Sequence, residues 1–161
     1  MTGIILILIT FFGMEGVAWF THKYIMHGLL WSLHKDHHVK DYSRFCERND
    51  FFFLIFALPG ILLISKGIHQ ETSNLFYPGI GITLYGFAYF VIHDIFIHQR
   101  FSILKKSKNI YLRALRKAHK THHKQLVKED GECFGMLWFP MKYYVQAKKT
   151  NKQTNSKFFK K

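Results

Sequence analysis

The first stretch of the chain, residues 1–20, lacks lysine and arginine and holds a single acid, Glu15. A run of that length and polarity is long enough to cross a bilayer. A secretory signal peptide would have basic residues before its apolar run and small residues at a cleavage site, and neither feature precedes His22. The missing charge therefore favours a first membrane span over a signal peptide.

Cysteine is also scarce, since Cys46 and Cys133 are the only two among 161 residues. Both fall in segments that the basic residues, described next, assign to the cytoplasm, where thiols stay reduced. A structural disulfide is therefore not expected. Acids are few as well: ten Asp and Glu stand against 23 Lys and Arg, which gives a formal net charge of +13.

The basic residues are segregated from the apolar runs and orient them. Two further apolar runs cover residues 51–65, which Pro59-Gly60 interrupts, and residues 75–97. Five Lys and Arg lie within residues 22–50, one lies between the second and third runs, and seventeen follow residue 99. By the positive-inside rule this predicts a multi-pass protein with its N-terminus outside and its C-terminus inside. The second run is either a full span or a tilted, re-entrant helix.

The predicted fold is all-α, with about three membrane spans that extend into a cytoplasmic helical cap. Residues 1–146 form the membrane domain, and residues 147–161 form a basic, mobile cytoplasmic tail. Small residues let helices approach closely in membranes, so we expect close helix contact at the span glycines. These are Gly13, Gly16, Gly79, Gly81 and Gly86.

Basic tracts at residues 100–128 and 142–161 raise the question of nucleic acid binding. Topology and attraction to anionic lipid explain the same charge in a membrane protein, so no nucleic acid partner is expected. The surplus also suits a docking surface for an acidic protein, because complementary charge steers encounter.

Histidine is the residue that the chain has in abundance, and ten of its eleven copies form one pattern written twice. Each copy is a pair separated by four residues, followed by a triplet. The pairs are His22/His27 and His93/His98, and the triplets are His34/His37/His38 and His119/His122/His123. Imidazole is the commonest protein ligand for transition metals, so the repeat predicts a metal centre with about five ligands for each of two ions. His69 lies alone in the presumed outer turn and is expected to be a bystander.

Helix geometry separates the triplets from the pairs. Positions i, i+3 and i+4 share a helix face, so each triplet points one way. Residues five apart lie roughly 140° apart around an α-helix. The members of each pair therefore flank a site from two sides, touch different metals, or lie in a local π-bulge.

Three acids near the histidines are candidates to orient them, because a ligating imidazole usually donates its other N–H to a carboxylate or carbonyl. Asp94 lies one turn before His98, Asp36 lies inside the first triplet, and Glu15 lies two turns before His22. Glu15 is also an ionisable group within a span, which favours a functional role. Surface solvation or helix capping is the alternative for each acid.

The quadruple histidine signature resembles that of the membrane fatty acid hydroxylase and sterol desaturase superfamily. Within it, the flanking residues are similar to those of the bacterial β-carotene hydroxylases over about residues 15–140, and all ten motif histidines are present. The flanks are residues 14–18, 22–28, 93–94, 98–100 and 133–135. The resemblance implies O2-dependent hydroxylation of carotenoid β-rings at carbon 3, with a non-haem di-iron centre and electrons from a ferredoxin. We expect β-carotene to be converted through β-cryptoxanthin to zeaxanthin.

Chemistry at an unactivated C–H bond requires a redox-active metal, so iron is expected in the active protein, although a purified sample can carry zinc. Other enzymes of the superfamily share the histidine frame, namely fatty acid or sterol hydroxylases, desaturases and carotenoid ketolases. A non-enzymatic haem or metal carrier is the remaining alternative. Haem needs two axial ligands on facing helices rather than clustered triplets, and a transporter places its ligands near the bilayer midplane.

Overall fold

Every regular element is helical in the computed structural model, which describes residues 2–39, 46–69, 73–101, 107–129 and 131–158. Two of the long helices end in π-helical segments. The elements are α1 (Thr2–Phe20) with the first π-segment (Thr21–Leu29), α2 (Trp31–His38), a 3-10 turn (Arg48–Asp50), α3 (Phe51–His69), α4 (Ser73–Tyr89) with the second π-segment (Phe90–Ile97), α5 (Ile110–His122) and α6 (Met141–Phe158). The predicted all-α class is confirmed.

Three helical stretches are long and apolar enough to cross a membrane: Thr2–Leu29, Arg48–His69 and Asn74–Ile97. Their large apolar side chains are widely exposed, as at Ile4 (67%) and Phe87 (66%). A helix that is apolar all round is stable in lipid rather than in water. The chain is therefore a membrane protein, and the predicted number of membrane-capable helices is confirmed.

The second span was the doubtful one in the sequence because Pro59-Gly60 interrupts it. In the structure α3 runs as one helix of 19 residues through Pro59. Proline removes a backbone donor inside a helix, and packing against neighbouring helices compensates for such a loss in membranes. Gly60 supplies a close approach here, because a Cβ on it would lie 3.2 Å from side-chain atoms of Ile82 and Thr83 of α4.

Helix α4 is the central span, since it packs against both α1 and α3. A Cβ on Gly79 would lie 2.7 Å from Ile64 of α3, and one on Gly81 would lie 2.8 Å from the carbonyl oxygen of Ile7 in α1. Close helix contact is confirmed at these two glycines. The same expectation is wrong for Gly13, Gly16 and Gly86, where a Cβ would meet no atom of the described residues within 4 Å.

The cap is built on α5, whose side chains at spacings of three and four turn inward. Asn109 begins the helix by accepting a hydrogen bond from the backbone N–H of Leu112 at 3.1 Å. Small residues of α5 pack against α6, and Leu115 packs against the end of the second π-segment. Helix α6 continues past residue 146 into the predicted tail. Residues 102–106 of the predicted basic tract and residues 159–161 of the tail lie outside the described residues.

Candidate metal centre

Nine histidines converge into two groups where the ends of the spans meet the cap. In each group, one ring nitrogen per residue lies within 4.8 Å of the corresponding nitrogen of every other member. The first group is His22, His27, His34, His38 and His122, and the second group is His37, His93, His98 and His119. All nine are buried except His98, which is partly buried.

The two groups do not correspond to the two copies of the sequence pattern. The first group takes four histidines from the first copy and His122 from the second. The second group takes three histidines from the second copy and His37 from the first. His37 and His122 are both the middle member of their triplet. The middle histidines therefore cross, in the sense that each belongs to the group formed mainly by the other copy of the pattern. The members of a triplet therefore do not all face one group, as their shared helix face predicted, because residues i+3 and i+4 of a helix diverge by about 100°.

The π-segments explain the spacing of five in the pairs. In the second segment the backbone N–H of His98 donates to the carbonyl of His93 at 2.9 Å, and in the first Leu30 bonds Ile25 in the same i to i+5 pattern. This wider winding brings residues five apart onto nearly one face. Of the three explanations left open by the sequence, the structure has the π-helical one, and both members of each pair lie in the same group.

His123 completes the set of ten but belongs to neither group of nitrogens. Its ring centroid lies 4.5 Å from that of His119 and 4.6 Å from those of His37 and His38. Its Nε2 is buried and has no hydrogen-bond partner in the described part of the chain. His123 therefore lies where the two groups meet, with a free ring nitrogen. His69 lies apart from all of them, exposed in the last turn of α3.

The first-group histidines turn Nε2 inward because their Nδ1 atoms are held from outside. His22 contacts His34, and His27 contacts His122, through Nε2 atoms 3.1 and 3.2 Å apart. Backbone carbonyls lie beside the Nδ1 atoms of four of these residues: Phe134 for His22 (2.9 Å), Lys128 for His27 (3.2 Å), Gln125 for His38 (2.8 Å) and Glu132 for His122 (2.8 Å). An Nδ1–H that donates to a carbonyl leaves the Nε2 lone pair available to a metal.

Two side chains that were not predicted from the sequence also hold the Nδ1 atoms of histidines. Asn49 Oδ1 lies 2.6 Å from Nδ1 of His34, and Glu47 Oε2 lies 2.6 Å from Nδ1 of His37. Both acceptors lie at the 3-10 turn that leads into α3. The available signal was their polarity at the start of an apolar run, close to where the histidines leave the membrane.

Arg100 ties this turn to the second π-segment. Its guanidinium makes two bonds to Asp50, at 2.6 and 3.1 Å, and lies 3.3 Å from both Glu47 and Asp94. Burial alone would lower the pKa of Arg100, but the bond to Asp50 and the three carboxylates raise it above its ordinary value. The carboxylate that orients His37 is thus itself held by a permanent charge.

The three acids chosen from the sequence have different surroundings. Asp94 lies closest to a histidine, with Oδ2 3.5 Å from Nδ1 of His93. Asp36 accepts a bond from the backbone N–H of Arg48 at 2.6 Å, and so holds the 3-10 turn. Glu15 contacts α4 and the 131–140 loop, as described below.

The histidines of the two triplets are held neutral. Burial lowers the pKa of His34 to about 3 and that of His38 to about 4. Burial and neighbouring histidines lower the pKa of His122 and His123 to about 2. Burial likewise brings the pKa of His37 and His119 well below the ordinary value. Neutral imidazole is the form that binds metal, so these six histidines are ready to act as ligands at neutral pH.

Glu15 holds the 131–140 loop, which packs over the histidine site. Its side chain is almost fully buried and accepts three hydrogen bonds: from the hydroxyl of Tyr85 (2.7 Å) and from the backbone N–H groups of Leu137 (2.8 Å) and Trp138 (3.0 Å). The same loop supplies the Phe134 carbonyl that orients His22. Glu15 therefore affects the histidines through the loop and not by direct contact.

An apolar groove leads from the spans to the histidines. Helix α4 and the second π-segment supply one row of lining residues, α1 and α3 supply others, and the 131–140 loop covers the top. The lining includes Ala18, His22 and Met26; Phe52, Phe53 and Phe56; Tyr85, Gly86, Tyr89, Phe90 and His93; His119; and Phe134, Gly135 and Met136. Its empty space, open mouth included, is about 860 Å³, and the part that the centre of a water-sized sphere can occupy is about 90 Å³. Histidines from both groups thus face a cavity lined mainly by hydrocarbon.

Comparison with known proteins gives consistent matches over most of the chain. The profile of the fatty acid hydroxylase family, "Fatty acid hydroxylase", matches residues 7–143. The "Beta-carotene hydroxylase" of Pantoea ananas is 38% identical over 143 residues, which cover 89% of this chain and 81% of that protein. The protein of the same name from Paracoccus sp. (strain N81106 / MBIC 01143) is 34% identical, covering 87% of this chain and 86% of that protein. No solved structure gives a significant match.

Proposed function

This chain belongs to the fatty acid hydroxylase family, and on that premise we propose that it is a carotenoid β-ring 3-hydroxylase. Its reaction would convert β-carotene to β-cryptoxanthin and then to zeaxanthin, with O2 as co-substrate. The observation that carries the proposal is the match to bacterial proteins named β-carotene hydroxylase, at 33–38% identity over most of the chain.

The donor set fits two iron ions. The described ligand atoms are imidazole nitrogens, which suit iron, and nine of them converge in two groups rather than one. We assign the first ion to His22, His27, His34, His38 and His122, and the second ion to His37, His93, His98 and His119, with His123 as the fifth ligand of the second ion. Bound iron supplies the activation of O2 that attack on an unactivated C–H bond requires.

The groove supplies the substrate side of the proposal. β-Carotene is a rod of hydrocarbon that is available only from the membrane. The groove has lipid-exposed aromatic residues such as Phe53 (60% exposed) on its α3 wall and histidines at its inner end. A ring can therefore reach the histidines while the polyene stays among apolar side chains. The substrate has two equivalent ends, so release and rebinding would expose the second ring to the same chemistry.

The electron donor is proposed to be a ferredoxin that docks on the cytoplasmic face. Exposed lysines recur at spacings of three and four along the outer side of α5 and just beyond it, next to the two groups. These lysines are Lys117, Lys120, Lys124 and Lys128. A basic surface of this kind attracts an acidic redox partner and steers its approach. The multi-pass topology with this face in the cytoplasm follows from the positive-inside rule.

The product test is expression of the chain in bacteria that already make β-carotene. We expect chromatography of the pigments to show β-cryptoxanthin early and zeaxanthin late, both dependent on O2. Purified protein in lipid is expected to need reduced ferredoxin for the same conversion. Unchanged β-carotene together with newly hydroxylated fatty acids or sterols would overturn the carotenoid assignment, and a 4-keto product would indicate a ketolase.

Metal content tests the centre separately from the product. We expect elemental analysis of well-folded, metal-saturated protein to give two metal ions per chain, because one octahedral ion cannot use nine or ten imidazoles. Zinc counts toward the total, since histidine sites accept it readily. The His69→Ala variant serves as the control and is expected to retain both ions. Saturation at one ion or none would contradict the assignment. A haem absorption band would show that the chain binds haem instead.

A further inference from the structure

The span glycines fall into two classes that the sequence does not distinguish. At Gly67, Gly79 and Gly81 an added Cβ would lie under 3.0 Å from atoms of the neighbouring helix, so packing requires glycine there. At Gly13 and Gly86 an added Cβ would meet no atom within 4 Å in the part of the chain that the structure describes. Packing therefore does not explain a glycine at these two positions.

Glycine inside a helix has a cost, because it destabilises the helix relative to alanine. At Gly86 that cost is not offset by a close helix contact. Gly86 differs from Gly13 in one respect that matters, which is that Gly86 lines the apolar groove. The missing side chain at Gly86 therefore leaves room for a molecule bound in the groove.

The position of Gly86 along the groove is defined by the residues that precede the histidines. It lies beside Tyr85, one turn before Tyr89 and Phe90, and seven residues before His93. At a rise of 1.5 Å per residue this places Gly86 roughly 10 Å from the histidine end. The lining residues next to it on this wall, Tyr85, Tyr89 and Phe90, carry large rings. Gly86 is therefore the position among them that has no side chain.

We propose that Gly86 is a specificity-determining residue whose missing side chain admits a ring-ended, methyl-branched isoprenoid chain to the groove. This inference rests on the proposed function and names the feature that selects its substrate class. A trimethylated cyclohexene ring is wider than a straight acyl chain. A groove narrowed at Gly86 would exclude the ring from the histidine end while leaving the histidines themselves untouched.

The test compares Gly86→Leu with the matched variant Gly13→Leu in β-carotene-producing bacteria. Both changes add the same side chain to an uncontacted glycine of a span. Gly86→Leu is expected to reduce zeaxanthin and β-cryptoxanthin per folded chain by roughly tenfold or more. The leucine side chain would take the space that the substrate ring needs, and forcing both into it is overpacking. Gly13→Leu is expected to match the wild type. Binding of β-carotene to the purified, metal-loaded protein in the absence of O2 gives a second readout, and we expect Gly86→Leu to retain correspondingly less β-carotene.

Gly86→Ala keeps the test decisive if leucine hinders folding, because one methyl group favours the helix and narrows the groove only slightly. We expect a partial loss of product and of retained pigment, with unfolding at or above the wild-type temperature. Wild-type conversion and retention by Gly86→Leu would overturn the inference and leave the proposed function standing. A wild-type protein that neither converts nor retains β-carotene would overturn the proposed function, and the inference with it.

Discussion

His37→Ala and His122→Ala are each expected to abolish hydroxylation, with a loss of more than about 100-fold. These two residues are the middle histidines that cross between the groups. His37 Nε2 lies 3.2 Å from that of His93, and His122 Nε2 lies 3.2 Å from that of His27. Removal of an orienting neighbour costs roughly 10- to 100-fold in metal affinity or activity, and removal of the ligand itself costs more. Zeaxanthin formed per folded chain is the measurement.

The controls for these variants separate a damaged site from a damaged fold. His69→Ala is expected to leave activity nearly intact, since His69 is exposed at the end of α3. Metal content is expected to fall in His37→Ala and His122→Ala, and a metal site also supports folding, so the amount of folded protein must be measured in each case. Equal damage from His69→Ala in a folded protein would contradict the separation of ligands from bystander.

Glu15→Ala is expected to destabilise the protein by on the order of 5 kcal/mol and to remove hydroxylation. The change leaves the hydroxyl of Tyr85 and the backbone N–H groups of Leu137 and Trp138 without their acceptor. Each buried donor that loses its partner costs roughly 1–3 kcal/mol. The freed loop would also withdraw the carbonyl that orients His22. Thermal unfolding in lipid or detergent measures the first effect, and product analysis measures the second.

Glu15→Gln is the matched control, because glutamine keeps the length of the side chain and an oxygen acceptor for the loop. We expect it to retain most of the stability and part of the activity. Tyr85→Phe removes only one of the three bonds, so its effect on unfolding should be about a third of that of Glu15→Ala. Wild-type unfolding and activity in Glu15→Ala would show that the loop holds its place without this carboxylate.

The histidine spacing predicted much of the centre, because spacing constrains direction. It predicted about five ligands for each of two ions and set His69 apart from the others. For the spacing of five within each pair it left three explanations open. The choice among them depends on whether the backbone is α-helical or π-helical, and the residue types of the segment do not decide that. His93 and His98 share one group only because the second π-segment brings them there.

The crossing of the middle histidines could not be predicted from the sequence. It depends on how α2 and α5 are placed relative to each other, which follows from tertiary packing. The same limit applies to Asn49 and Glu47, which lie 15 and 10 residues along the chain from the histidines they contact. Their residue types are common at helix starts, so only three-dimensional proximity distinguishes them.

The spans were predictable in number because hydropathy is additive along the chain, and the family resemblance was predictable because it rests on residue identity. Contacts between spans were not predictable in the same way. Gly79 and Gly86 look alike in sequence, yet one packs against α3 and the other opens onto the groove. Glu15 likewise gave a functional signal, while its actual partners lie more than 65 residues away in the chain.

The crossed histidines also set an order of events during biosynthesis. A nascent chain that has emerged only through α2 contains four members of the first group, and it lacks His122 until the last span has been inserted and α5 has left the ribosome. The second group likewise needs His37, which was made before any of its other members. Neither group can be completed from one half of the protein, so a truncated or half-inserted chain has no complete site for a metal ion. Both histidine groups are therefore complete only in the finished, correctly inserted polypeptide.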